Sequence, residues 1–202
     1  MRRPRRAPSR AHVPEKWAPV LRQGHAPLEK SRACPDSART GHALAAPVVD
    51  ILVKSARWKA RHGVRPLLRR ALAEAAATLS TSDAELAIVL TDDSAIRRLN
   101  RRWRGKDEPT NVLAFPTQQP SGGPHRLIGD IVIAYQTLAR EAAVERKPFG
   151  HHLAHLAVHG FLHLAGHDHG TDKEAAAMEG LEIAILARLG IPNPYVARGR
   201  HD

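Results

Sequence analysis

The segment GHHLAHLAVHGFLHLAGHDHG, residues 150–170, says most about how this 202-residue chain folds and what chemistry it carries. It holds seven of the thirteen histidines, spread between His151 and His169. Their spacing within an otherwise apolar run predicts a helix over about 149–165. Gly166 then allows the left-handed conformation that ends a helix and turns the chain back.

Three of these histidines have the spacing of a metal site. His159 and His163 are four residues apart, so their imidazoles share one helix face about one turn apart. After the turn at Gly166, His169 returns to the same face. This spacing supplies three neutral nitrogen ligands and leaves a fourth coordination position open, which is typical of a catalytic zinc site. We predict one Zn²⁺ per chain, although nickel, iron or another divalent ion would also suit three imidazoles.

The other histidines of this segment have different expected roles. His155 lies one further turn back, but each step of four residues drifts around the helix, so we expect it to support the site or the core. His151 and His152 are expected at the exposed start of the helix. A single histidine is more often an ordinary core or surface residue than a ligand, whereas three at ligand spacing favour a metal site.

The ligand spacing also matches the long zinc motif of metzincin proteases, with one difference. In those enzymes a glutamate follows the first histidine and serves as general base. Here that position is Gly160, which cannot accept a proton. Peptide hydrolysis by that route is therefore disfavoured, and an ester or phosphodiester substrate is favoured.

The rest of the pattern predicts a single α+β domain with one small mixed sheet, in which the metal site occupies a helix and the following turn. RRWRGKDEPTN, residues 101–111, is expected to be a loop because it contains Gly105 and Pro109. Gly129 lies inside a strand pattern and indicates a bulge or a close backbone approach. The remaining predicted elements are strands from Val48 and over 85–91, 112–116 and 126–135, and helices over 64–79, 92–99, 136–146 and 173–189.

The net charge of +11 is concentrated near the N-terminus. Residues 1–45 hold ten basic residues, three acidic residues and six prolines. Such a segment buries too little apolar surface to offset the entropy of ordering it, so we predict a disordered basic extension. It is either an arm that attracts RNA phosphates or a dispensable segment upstream of the true start. Residues 46–196 are the predicted domain, and 197–202 a C-terminal tail.

Composition excludes several classes of protein. Cys34 is the single cysteine, so an internal disulfide scaffold is excluded. No stretch approaches the roughly 18 apolar residues of a membrane helix. The charged N-terminus lacks the apolar segment of a secretory signal. We therefore expect a cytoplasmic protein without a membrane partner.

Two motifs resemble those of a known family. HGFLHLAGHDH, residues 159–169, resembles the HGxLHLxGxDH signature of the YbeY family of bacterial metal-dependent endoribonucleases. LNRRWRGKDEPTNVLAFP, residues 99–116, resembles that family's second signature, LNxxYRxKDxPTxVLSFP. LIGDIVI, residues 127–133, resembles one of its strands. The resemblance runs from about residue 47 to Tyr195, which is nearly the whole predicted domain.

The resemblance implies roles for residues of the second motif. The family pairs its three-histidine metal site with an arginine that corresponds to Arg104, whose guanidinium can hold two oxygens of the scissile phosphate. The alternative is a solvated surface charge. Basic residues interleaved with an aromatic also suit single-stranded RNA, although a helix end with a buried tryptophan explains the same letters. The expected RNA-binding residues are Arg101, Arg102, Trp103 and Lys106.

The implied function is a zinc-dependent endoribonuclease specific for single strands. The resemblance implies maturation of the 3′ end of 16S rRNA and ribosome quality control, with ribosomal RNA and the small ribosomal subunit as partners and no small-molecule cofactor. Asp107 and Asp130 are candidates for a general base or for orienting a ligand, and both water and the RNA 2′-hydroxyl are open as nucleophiles. The alternatives are a metal-dependent protease and a non-catalytic ribosome-assembly factor with a structural metal.

Overall fold

The computed structural model describes residues 46–117 and 125–196, within which the elements follow the predicted order. The strands are β1 (Val48–Val53), β2 (Ala84–Thr91), β3 (Val112–Pro116) and β4 (Arg126–Ala134). The helices are α1 (Val64–Thr78), α2 (Asp93–Arg104), α3 (Tyr135–Val144), α4 (Phe149–Leu164) and α5 (Asp172–Arg188). The predicted basic extension and C-terminal tail lie outside the described residues.

The strands form one mixed sheet in the order β1-β2-β4-β3. β1, β2 and β4 are parallel, and β3 lies antiparallel to β4 at the edge. Parallel neighbours need a crossover rather than a tight hairpin, and α1 supplies the one between β1 and β2. The predicted α+β class with a small mixed sheet is confirmed. No helix in the described part of the chain is both long enough and apolar enough to cross a membrane.

Successive side chains along a strand point to opposite faces of the sheet. Helices cover both of these faces. On one face, Ile131 of β4 packs under α4. A Cβ added to Gly160 of α4 would lie 2.9 Å from the Cγ2 atom of Ile131. Asp130, the neighbouring residue, points to the other face, as does its partner Phe115 in β3. Trp103 of α2 packs on that face, with its ring centroid 6.4 Å from that of Phe115. α2 and α4 therefore cover opposite faces of the sheet.

α4 is the central helix of the main core. Its apolar residues are packed on several sides, by α1, α3, α5 and the sheet. Leu153, Val158, Phe161 and Leu162 are fully buried. A helix that is apolar over most of its circumference belongs in an interior, and here only the histidine-bearing stripe of α4 is left for chemistry.

The predicted loop over residues 101–111 is wrong in its first part. α2 continues beyond Leu99 to Arg104, and Gly105 ends it in the left-handed conformation with φ of 70°. Glycine and proline suggested a loop, but Trp103 extends the apolar face of the helix and packs its last turn against β3. The basic residues of this segment therefore occupy the C-terminal turn of a helix, where the helix dipole favours cations.

Gly129 occupies an irregular position in β4 that only glycine tolerates. The register between β2 and β4 shifts here, since Glu85 pairs with Leu127 and Leu86 pairs with Gly129. The φ angle of Gly129 is 139°, and a Cβ atom would lie 2.1 Å from the carbonyl oxygen of Phe115. The predicted bulge and the predicted close approach are both present.

Gly129→Ala is expected to destabilise the domain by about 3 kcal/mol, because it adds a backbone clash to an unfavourable φ angle. Chemical denaturation measures this change. Gly180→Ala is the matched control. Gly180 lies on the exposed side of α5, and no atom lies within 4 Å of an added Cβ. That control should stabilise by up to about 1 kcal/mol through helix propensity. Equal effects at the two sites would contradict the strained conformation at Gly129.

Candidate metal centre

The structure brings the three predicted ligands together. His159 and His163 lie on the last two turns of α4, and His169 follows the turn at Gly166. One ring nitrogen of each histidine lies within 4.8 Å of the other two. The Nε2 atoms of His159 and His163 are 3.1 Å apart. The ring of His169 is centred 5.6 Å from that of His159 and 4.9 Å from that of His163.

Hydrogen bonds on the outer ring nitrogens decide which nitrogen two of these histidines present. Nδ1 of His159 donates to Oε1 of Glu182 at 2.8 Å, and Nδ1 of His163 donates to the carbonyl oxygen of His167 at 3.0 Å. A carbonyl or an ionised carboxylate only accepts, so both protons are on Nδ1. The two facing Nε2 atoms then carry lone pairs, which repel unless a cation lies between them. This donor set fits a divalent metal ion.

The protonation state of His163 also suits ligation. Burial lowers the pKa of His163, and the neighbouring rings of His159 and His169 lower it further. A metal ion binds only the neutral imidazole, so protons compete with it at low pH. The environment of His163 therefore favours the ligating form at neutral pH.

Glu182 is the functional residue that the sequence analysis missed. It lies on α5 with a side chain only 1% exposed, between two histidines of α4. Its Oε2 accepts a hydrogen bond from Nε2 of His155 at 2.8 Å, and the Tyr195 hydroxyl also donates to it. Burial by itself raises the pKa of Glu182, but the hydrogen bonds from His155, His159 and Tyr195 lower it to about 2. An ionised carboxylate therefore holds the ring of His159 in place, as carboxylates commonly do behind metal-binding histidines.

One sequence signal could have identified Glu182. Buried apolar residues flank it at helical spacing. Met178 lies four residues before it, and Ile185 and Leu186 lie three and four residues after it. This spacing places Glu182 on the apolar face of α5. A carboxylate on such a face must find hydrogen-bond donors, because an unpaired buried charge is costly. The partners themselves lie on another helix and are not visible in this pattern.

The expected role of His152 is wrong, whereas that of His155 agrees with its contacts. His152 is 5% exposed rather than on the surface, and its Nε2 lies 2.8 Å from Oε2 of Glu141. α4 enters the core at its first turn, so even its early residues are covered. His155 contacts Glu182 and so supports His159 indirectly.

The turn after α4 is built to return His169 to the helix. Gly166 adopts φ of 96°, which a side chain would disfavour. Asp168 Oδ1 accepts a hydrogen bond from the backbone N–H of His169 at 2.8 Å, which stabilises the turn. His167 contributes its carbonyl oxygen to His163. The turn thus positions one ligand and orients another.

Gly160 has a packing role at the position where the protease motif carries its general base. A Cβ there would lie 2.9 Å from Ile131. A larger residue would push α4 away from the sheet. The side of α4 at this position faces β4, so it does not offer a place for a catalytic carboxylate.

The predicted RNA-contacting residues lie at the end of α2, on the opposite face of the sheet from α4. Within the described residues, no hydrogen bond or ion pair joins Arg104 to the three histidines. Trp103 packs against Phe115, and the guanidinium carbon of Arg102 lies 4.9 Å from the centroid of the Trp103 ring. The structure therefore gives Trp103 a packing role in α2. The exposed basic residues here are Arg101, Arg102, Arg104 and Lys106.

Neither aspartate considered as a base lies beside the histidines on α4. Asp107 accepts two hydrogen bonds from Arg97, at 2.9 and 3.0 Å. These bonds lower the pKa of Asp107, which makes it a weak proton acceptor. Asp130 points to the face of the sheet that α2 covers, because its register partner is Phe115.

Comparison with known proteins finds strong similarity to one family. The sequence model described as endoribonuclease YbeY matches residues 52–190. A relative of that name from Nitrobacter winogradskyi is 59% identical over 158 residues, covering 75% of this chain and 83% of its own. One from Nitrobacter hamburgensis is 55% identical over 163 residues, covering 77% and 86%.

A further relative extends the similarity toward the N-terminus. An endoribonuclease YbeY from Rhodopseudomonas palustris is 51% identical over 186 residues, covering 89% of this chain and 97% of its own. Residues 46–202 alone make up less than 89% of the chain, so the match with this relative reaches into residues 1–45. A solution structure from Thermotoga maritima is 23% identical with a TM-score of 0.49, covering 76% of this chain and 99% of its own.

His163→Ala is expected to weaken metal affinity by more than about 100-fold, because a lost ligand should cost more than a lost partner of a ligand. The melting temperature of the metal-loaded protein should fall with it, since bound metal stabilises the folded state. Calorimetric titration with Zn²⁺ and thermal melts measure both. His167→Ala is the matched control, because His167 contributes only its backbone carbonyl. Equal affinities in the two variants would contradict ligation by His163.

Glu182→Gln is expected to lower metal affinity by about 10- to 100-fold, the usual cost of losing the group that orients a ligating histidine. The same titration measures the change, while circular dichroism checks that the fold persists. Glu179→Gln on the exposed side of α5 should leave affinity unchanged. If both variants bound Zn²⁺ as the parent does, Glu182 would have no part in positioning His159.

Proposed function

The chain belongs to the endoribonuclease YbeY family, and from this membership we propose that it is a metal-dependent endoribonuclease acting on single-stranded RNA. The observation that carries the proposal is the cluster of His159, His163 and His169, in which the Nε2 atoms of His159 and His163 lie 3.1 Å apart. Family membership supports the reaction class, and this cluster supports the dependence on metal.

We assign Zn²⁺ as the ion that the three histidines would hold. Three imidazoles with an open fourth position are typical of catalytic zinc. The bound ion would supply Lewis acidity and positive charge beside the phosphodiester. The chain supplies the rest: Glu182 and the His167 carbonyl keep two of the ligands oriented.

Arg104 is the proposed catalytic residue at the scissile phosphate. It ends α2 with an exposed side chain, and no ion pair within the described residues engages its guanidinium. A guanidinium binds two phosphate oxygens at once and can stabilise charge that develops on them. Arg101, Arg102 and Lys106 add positive charge around it, which favours binding of the RNA backbone. Trp103 is held by Phe115, so base stacking on it would use only its remaining surface.

Ribosomal RNA is the proposed substrate. The role includes maturation of the 16S rRNA 3′ end and ribosome quality control in the cytoplasm, with the small subunit as partner. The net charge of +11 supports a polyanionic partner, since each neutralised phosphate releases counterions. The absence of a helix long and apolar enough to span a membrane, within the described ranges, is compatible with this setting.

Incubation of the full chain with rRNA and with casein tests this function against its alternatives. The protein is prepared metal-loaded and metal-stripped. RNA cleavage only in the loaded state would support the proposal. Casein cleavage would instead favour a protease, and RNA binding without turnover would favour an assembly factor with a structural metal.

Arg104→Ala is expected to lower the cleavage rate by on the order of 100-fold, since one preorganised donor to transition-state charge is worth about 3 kcal/mol. Metal content and melting temperature should hardly change, because Arg104 is exposed. Arg104→Lys should recover only part of the rate, because an ammonium lacks the two-pronged geometry. Single-turnover kinetics at saturating RNA measure the rate.

Arg101→Ala is the control for this prediction. A residue that only positions the phosphate backbone should raise KM and leave kcat close to the parental value, whereas a transition-state contact lowers kcat. A parental cleavage rate in Arg104→Ala would show that Arg104 is an ordinary surface charge.

A further inference from the structure

A cavity of about 510 Å³ opens beside the metal centre. His159 belongs to both, because its ring also forms part of the cavity wall. The wall continues along α4 through His155 to His152, whose ring is centred 6.2 Å from that of His155. His152 and His159 are seven residues apart, a rise of about 10 Å along the helix. The cavity therefore starts at the metal ligands and extends two helical turns away from them.

The remaining walls mix apolar and polar groups. Val112 at the start of β3 and Leu156 of α4 contribute apolar surface, and Pro194 with Tyr195 closes one side. The polar groups come from Asn111 and from the end of α3. A concave site of several hundred cubic ångströms with an apolar wall and a few convergent polar groups is typical of a small organic ligand.

The charges around the cavity disfavour a phosphate in it. Lys147 is the one lysine in its lining, and it is already paired with Glu145 and donates to the carbonyl oxygen of Pro194 at 2.6 Å. Glu141 adds a further carboxylate: burial by itself raises its pKa, but hydrogen bonds from His152 and Asn111, together with the charges of His152 and Arg140, lower it overall. Glu182 lies behind His155 as a second carboxylate. A neutral occupant that donates hydrogen bonds suits this environment better than an anion.

The Glu141 carboxylate is held by hydrogen bonds to one of its two oxygens. Its Oε2 accepts from Nε2 of His152 at 2.8 Å and from Nδ2 of Asn111 at 2.9 Å. Among the described residues, Oε1 accepts no hydrogen bond. The Glu141 side chain is 30% exposed, so a ligand in the cavity can reach it. Two bonds to one oxygen hold the carboxylate still and leave the other free to recognise a donor.

We propose that this cavity holds the base of a nucleotide adjoining the scissile phosphate, and that Oε1 of Glu141 accepts a hydrogen bond from the exocyclic amino group of that base. The inference rests on the proposed endoribonuclease function and extends it to substrate recognition. Unpaired bases in single-stranded RNA are commonly read through the hydrogen-bonding groups on their edges. Adenine, cytosine and guanine carry an exocyclic amino group. Uracil has none, and its single donor on that edge, N3–H, lies between two carbonyl oxygens that a carboxylate repels.

The test uses metal-loaded full chain and single-stranded oligoribonucleotides of one sequence, in which each nucleotide flanking the cut is varied through all four bases. At one flanking position, kcat/KM with uracil should be on the order of tenfold below that with the other bases, as for other carboxylate contacts to base amino groups. Glu141→Gln should bring the four values close together, because an amide both donates and accepts. Glu74→Gln on α1, outside the cavity, should keep the parental preference.

Several results would overturn the proposal. Equal cleavage of all four bases at both positions by the parent would do so, as would an unchanged preference in Glu141→Gln. A uniform loss across all substrates would show that Glu141 only supports the fold. If Glu141→Gln fails to fold, Glu141→Asp withdraws the carboxylate by one methylene and should likewise level the four values; retention of the preference would count against the site. Failure of the parent to cleave any RNA with metal bound would instead remove the proposed function itself.

Discussion

The close contact between α4 and β4 at Gly160 is the constraint on which the rest of the structure depends. Because Gly160 has no side chain, the helix can approach the sheet closely. A Cβ atom at Gly160 would lie only 2.9 Å from the Ile131 side chain. That approach buries most of α4 and leaves one stripe of it for chemistry. His159, His163 and the cavity wall all lie along that stripe, so their positions follow from how deeply the helix is seated.

Two carboxylates, the buried Glu182 and the partly exposed Glu141, make the polar stripe of α4 tolerable inside the domain. Glu182 engages His155 and His159, and Glu141 engages His152, each at 2.8 Å. Each pairing satisfies a ring nitrogen that would otherwise be desolvated without a partner, which would be costly. The bond from His159 to Glu182 also selects the ring nitrogen that His159 points toward the metal site, so one contact serves both stability and orientation.

The domain carries its acidic groups and its exposed cations on different surfaces. α4 presents nitrogen ligands and an acidic cavity, whereas the end of α2, beyond the edge strand β3, presents exposed cations. In the proposed function, the scissile phosphate lies between the metal ligands and Arg104, and the adjoining base lies toward the carboxylate of Glu141. That proposal assigns attraction for the backbone and selection of a base to different surfaces of the domain.

The sequence by itself determined the three-histidine cluster and the α+β class, because both depend on local spacing. Ligands four residues apart on a helix, followed by a glycine turn, meet wherever that helix lies, and the four strands were recognisable from their apolar runs. The end of α2 was misjudged because the packing of Trp103 on Phe115 outweighs the composition of the segment. Only the tertiary structure decided the strand order, the partnership of Glu182 with His159 and the cavity at Glu141. The contacts of Glu182 and Glu141 join residues 11 to 30 positions apart, and the periodicity of one element does not record what another brings against it.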